Sequence, residues 1–174
     1  MASEFEQILN EYAATVVERA QSNLRIKRRV RGKMVNRVGS NRPDNLLNSL
    51  IYKIKIRYGK PTIDFTVKGQ AGQYADVIEF GRRPGARMPP VAAIEKWIRM
   101  KPLKLRNRQG EFIKSTESAI KSAAYNIARS IGEKGIEGIN YYGEAIDDTW
   151  DDYKDKLMDA YVKDIEQRLL LNKR

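Results

Sequence analysis

The apolar residues change their spacing twice along this chain, and that change limits the fold more than any other feature. Over residues 4–26, Phe5, Ile8, Leu9, Tyr12, Ala13, Val16, Val17, Ala20 and Leu24 recur at helical spacing behind Ser3, with Glu6 three positions on as in a capping box. From Leu50 the period becomes two. Tyr52, Ile54, Ile56 and Tyr58 point one way, and Ile51, Lys53, Lys55 and Arg57 the other. Gly59-Lys60 makes a turn closed by Pro61, and Ile63, Phe65 and Val67 share a face of the returning strand. Helical spacing then returns and stays. A β-hairpin between helical stretches predicts an α+β fold, a small antiparallel sheet packed by several helices.

Three further helices are expected. Pro89 or Pro90 suits the first turn of one running to about Arg99, with Val91, Ile94, Trp97 and Ile98 buried. Ser115 or Thr116 caps the next, to about Lys134, on a stripe of Ala119, Ile120, Ala123, Ala124, Ile127, Ala128 and Ile131. The last spans about 143–171, its stripe being Ile146, Trp150, Tyr153, Leu157, Tyr161, Ile165 and Leu169. The segment from Tyr74 to Phe80 reads as either a short helix or a strand, with Val77, Ile78 and Phe80 buried. The first and middle helices are expected to pack the sheet. At 174 residues the simplest organisation is one domain, 1–174: an N-terminal helix and basic arm (1–43), a central part (44–146) and the remainder of the acidic C-terminal helix (147–174).

The chain has neither cysteine nor histidine. That excludes disulfides, thiolate nucleophiles, imidazole metal sites and the usual catalytic triads, and no cofactor is expected. Carboxylate-only chemistry stays open: Asp147 with Asp151, and Asp148 with Asp152, lie one helical turn apart, as a metal site would need, although acids at a helix N-terminus are favoured by the helix dipole alone. No apolar run approaches the ~20 residues that span a bilayer, and the start lacks a signal-peptide pattern, so no membrane partner is expected.

Charge is strongly segregated within a formal net of +11. Residues 19–43 hold nine basic side chains and no acid; residues 144–166 hold nine acids against three lysines. Arg25, Lys27, Arg28, Arg29, Arg31, Lys33 and Arg37 form the basic arm, expected to be irregular, and are candidates to face DNA phosphates. A second basic loop runs from Lys101 to Arg108. The basic surface of one copy could equally meet the acidic surface of the next.

The least generic stretch is Tyr74-Ala-Asp-Val-Ile-Glu-Phe-Gly81, followed by Arg82-Arg83-Pro84-Gly85-Ala86-Arg87 and two prolines. Glu79 is expected to pair with one of these arginines, within the chain or across a subunit boundary. The string 74–81 resembles the tyrosine-alanine, glutamate-phenylalanine-glycine signature of the HK97 gp10-like group of tailed-bacteriophage proteins. Asp44-Asn-Leu-Leu-Asn-Ser-Leu50, Pro90-Val-Ala-Ala-Ile-Glu-Lys-Trp-Ile98 and Ala124-Tyr-Asn-Ile-Ala-Arg-Ser-Ile131 resemble further segments of that group, in the same order over residues 44–146. Where the group usually has a threonine, this chain has Arg82-Arg83. The resemblance implies a non-enzymatic virion protein of the head–tail junction, assembled in the host cytoplasm. It would form a cyclic homo-oligomer of about six or twelve copies around the DNA passage, between portal-side connector proteins and tail or tail-tube proteins. Glu79, Phe80, Gly81, Arg82, Arg83, Arg87, Asp147 and Asp151 are then the interface candidates. The alternative is a standalone basic nucleic-acid-binding protein.

Overall fold

The computed structural model describes residues 3–30, 33–35, 45–57, 60–100, 104–107 and 109–171. In chain order the elements are α1 (Glu4–Arg25), β1 (Arg28–Val30), β2 (Lys33–Val35), α2 (Leu46–Ser49), β3 (Leu50–Arg57) and β4 (Lys60–Val67). A single 3-10 turn (Gly69–Ala71) leads into α3 (Gly72–Glu79), followed by α4 (Val91–Met100), α5 (Glu117–Lys134) and α6 (Tyr141–Leu171). The fold is α+β, with long first and last helices.

Two compact units share the chain: residues 1–79 with 139–174, and residues 80–138. The cuts thus fall inside the expected 44–146 part, and the first and last helices share a unit with the hairpin. The chain leaves the first unit after Glu79 and re-enters it at Ile139. Ile139 N–H donates to Ile78 O, and Asn140 N–H to Glu79 O, both at 2.9 Å.

In the first unit, α1 begins where Ser3 Oγ accepts the Glu6 N–H, the cap foreseen from the sequence. It packs along α6 in antiparallel fashion, as the cross-pairs show: Phe5 against Tyr161, Tyr12 against Tyr153, and Asn23 Nδ2 donating to Tyr141 O at the other end. Small residues let the two backbones approach: Ala13 and Ala20 on α1 and Ala145 and Ala160 on α6 are fully or almost fully buried. This shifts α6 from its expected stripe. Tyr153 and Leu157 are buried, but Trp150, Tyr161, Ile165 and Leu169 stay substantially exposed, because the alanine face rather than the bulkiest one turns inward.

β3 and β4 form the expected hairpin, with Leu50 opposite Val67, Tyr52 opposite Phe65, Ile54 opposite Ile63 and Ile56 opposite Pro61. Ile54, Ile63, Phe65 and Val67 pack onto the core formed by α1, α3 and the start of α6. Within the second unit, α4 and α5 pack on each other around Ile98, Leu105, Ile120 and Ala124. Thr116 caps α5 by accepting the Ala119 N–H, and Arg99 at the end of α4 grips Glu117 through two 2.6 Å bonds. Trp97, expected in the core, is 39% exposed, since Ile98 takes the inward position.

The basic arm also departs from expectation. Within it, β1 and β2 pair as a short antiparallel ladder, Arg28 opposite Val35 and Val30 opposite Lys33. The β-branched Val30 and Val35 suit extended backbone even in a charged run. Arg31, Arg37, Arg42 and the Gly59 turn lie outside the described residues.

Candidate subunit interface

Glu79 is the last residue of α3 and is buried, 7% exposed. Its carboxylate accepts the Tyr142 N–H at 3.1 and 3.2 Å and the Gly143 N–H at 3.0 Å. These are unpaired donors of the first turn of α6, and a carboxylate there also meets the positive end of the helix dipole. The expected pairing of Glu79 with an arginine is therefore replaced by a helix cap, and a buried cap is withdrawn from any partner. Beside it, the Tyr142 hydroxyl shares its one proton between Ile51 O and Thr66 O, clasping β3 to β4, while the ring lies against Phe65. Burial, reinforced by the Glu79 charge, pushes the Tyr141 and Tyr142 hydroxyls well above the ordinary tyrosine value.

The residues after Glu79 behave oppositely. Phe80, expected to be buried, is 78% exposed. The loop that follows is fixed by its backbone. Arg82 and Ile136 exchange two N–H···O bonds of 2.7 Å, and Gly85 N–H donates to Gly132 O at 2.8 Å. Gly81 has φ of +76°, and a Cβ there would sit 2.5 Å from Gly138 N and Ile136 O. Gly135 has φ of +67°, and its Cβ would strike Arg82 O. Two glycines thus allow backbone to lie on backbone, which no other residue type permits.

The arginines of this loop divide in their roles. Arg82 is half-buried and its Nη2 donates to Arg87 O, so it braces the loop from within. Arg83 and Arg87 are exposed. Phe80, Arg83 and Arg87 are thus all exposed on one stretch whose backbone is bonded to residues 132–136. Of the acidic candidates, Asp147 is exposed and Asp151 bonds Lys154 at 2.8 Å. Among the described residues no group of three or more acidic side chains is placed to hold a metal ion. No helix among them is long and apolar enough to cross a membrane.

The arm candidates divide likewise. Arg25 and Lys27 are exposed. Arg28 is committed to Glu144 of α6, Nη1 and Nη2 each donating to one carboxylate oxygen, which raises the arginine pKa further. Arg19 likewise bonds Asp148 at 2.8–2.9 Å. Basic and acidic segments expected to meet across copies thus meet within one chain at these points. Arg29 and Lys33 stand in β1 and β2, their side chains outside the described set, with Arg31 and Arg37. In the second basic loop the sequence located the cations but not the aromatic residue they meet. Phe112, 59% exposed, carries the Arg106 guanidinium 4.1 Å from its ring centre and Lys104 Nζ at 5.6 Å. The basic run was legible, but the bridge that brings Phe112 opposite Arg106 was not.

Compared with known proteins, the chain matches no family model, no curated protein and no solved structure.

Proposed function

We propose that this chain is a non-enzymatic building block of a tailed-bacteriophage neck, assembling through copies of itself into a ring around the DNA passage and docking there on portal-side and tail proteins. The observation that carries this reading is the loop after Glu79. Its backbone is bonded rigidly to residues 132–136 while Phe80, Arg83 and Arg87 project outward. An exposed aromatic next to arginines is the composition of an interface hot spot, and a loop ordered beforehand loses little entropy on docking. The same stretch carries the sequence resemblance to phage neck proteins, and the remaining positive charge tolerates passing phosphates.

Native mass spectrometry and negative-stain microscopy on the purified protein, with Arg83→Glu/Arg87→Glu beside it, test this. Closed rings or larger assemblies are expected for the native chain, alone or with a portal-side partner. The double variant should lose them while keeping its circular dichroism and melting temperature. A native chain that stays monomeric with every neck protein offered would overturn the reading. The alternative, a standalone nucleic-acid binder, draws on the Arg106–Phe112–Lys104 group, which combines cations with an aromatic face. It requires tight, steeply salt-dependent DNA binding by a monomer or dimer.

A further inference from the structure

The two long helices differ in reach. α1 starts at Glu4, whose carboxylate pairs with Lys163 of α6 at 3.5 Å. α6 continues to Leu171, about 12 Å further at ~1.5 Å per residue. Over this end and the turn before it, Met158, Tyr161, Val162, Ile165 and Leu169 recur at three- and four-residue steps, which puts them on one stripe. All five are exposed, from 39% at Tyr161 to 68% at Met158. Ile165 and Leu169 lie past the start of α1, while Met158, Tyr161 and Val162 lie alongside it with exposed surface, Tyr161 also meeting Phe5; an exposed apolar stripe of this kind suits a helix–helix contact.

We infer that this stripe pairs with the same stripe of a second copy, the two α6 helices lying antiparallel. Charge decides both the occupant and the direction. The first half of α6 holds Glu144, Asp147, Asp148, Asp151, Asp152 and Asp155 against Lys154 alone. From Lys156 to Leu171, Lys156, Lys163 and Arg168 balance Asp159, Asp164 and Glu166. The acids repel nucleic acid and acidic membrane surfaces. A parallel pair would set acidic half against acidic half; an antiparallel pair crossing near Val162 keeps the two acidic halves at opposite ends of the pair and brings the charge-balanced ends together. The exposed apolar area of the stripe is roughly 500 Å² per copy, hence roughly 1,000 Å² for the pair, at the lower limit for a specific contact. The dimer is therefore reversible. It is also self-closing, since a two-fold contact uses the same patch on both copies, so it is distinct from the head-to-tail contacts that a ring requires.

The absence of cysteine makes the test clean. Val162→Cys and Asp151→Cys are each treated with a short bis-maleimide. In the antiparallel pair, the two copies of residue 162 lie near the crossing, whereas those of residue 151 are about 35 Å apart along the axis. Val162→Cys should cross-link to itself and Asp151→Cys should not. Cross-linking of both means parallel pairing, and cross-linking of neither means another occupant or none; each overturns the inference. In sedimentation velocity, Ile165→Glu/Leu169→Glu should lower the association constant at least tenfold with unchanged helicity, since both positions are exposed. A native chain monomeric to hundreds of micromolar, or a double variant that dimerises like it, also refutes the pairing, whatever the fate of rings in the Arg83/Arg87 experiment.

Discussion

Replacing Glu79 by alanine should unfold the first unit far more easily than the loss of one surface acid would suggest. The side chain is 7% exposed and its oxygens accept the Tyr142 and Gly143 N–H groups. Removing a helix cap costs about 1 kcal/mol. Losing the carboxylate's interaction with the helix dipole adds about 1, and leaving the buried Tyr142 N–H unpaired adds about 1–2. The total is about 3–4 kcal/mol, and with a urea m-value of about 2 kcal/mol/M the midpoint should fall by about 1.5–2 M. The assay is equilibrium urea unfolding in a Trp97→Phe background, where the remaining tryptophan, Trp150, lies against Tyr12 in the first unit. Glu79→Gln, which keeps an acceptor but not the charge, should recover part of the loss. Moderate salt should leave the differences nearly unchanged, because a buried contact is poorly screened. A loss below ~1 kcal/mol, or a glutamine variant no better than alanine together with strong salt dependence, would show that Glu79 acts as an ion-pair partner instead of a cap.

Other outcomes follow from the same geometry. Gly135→Ala should destabilise the second unit by about 2 kcal/mol or more, read as faster limited proteolysis between residues 80 and 138, because its positive φ is compounded by a collision with Arg82 O. Tyr141 and Tyr142 are held protonated in the fold above the ordinary value of 10.0. An unfolded chain therefore releases those protons first, and stability is intact below pH 10 but declines as pH rises beyond it. Spectrophotometric titration at alkaline pH should show these tyrosines ionising only together with loss of helicity.

Much of the architecture is written locally. The spacing of apolar residues announces α1, the hairpin and α4 to α6 within a few residues of their ends, and Ser3 and Thr116 announce their caps, because each signal lies within one turn or one strand pair. The absence of thiol and imidazole is likewise a property of composition alone.

The candidate site was legible only in part. The basic loop after Gly81 could be located, yet whether each side chain faces inward or outward could not, since Phe80 and Glu79 are neighbours with opposite fates. Glu79 finds its partners 63 residues away, and Arg28 finds Glu144 116 residues away. Such pairings depend on the route of the backbone between them, which periodicity does not encode. The order and kind of the elements, then, were determined by the sequence itself through short-range spacing. Which carboxylate caps a helix, which arginine is spent on an internal ion pair, and which apolar stripe is left exposed on α6 were decided only by tertiary packing, where alanine faces let α1 and α6 close and turned the bulkier residues outward.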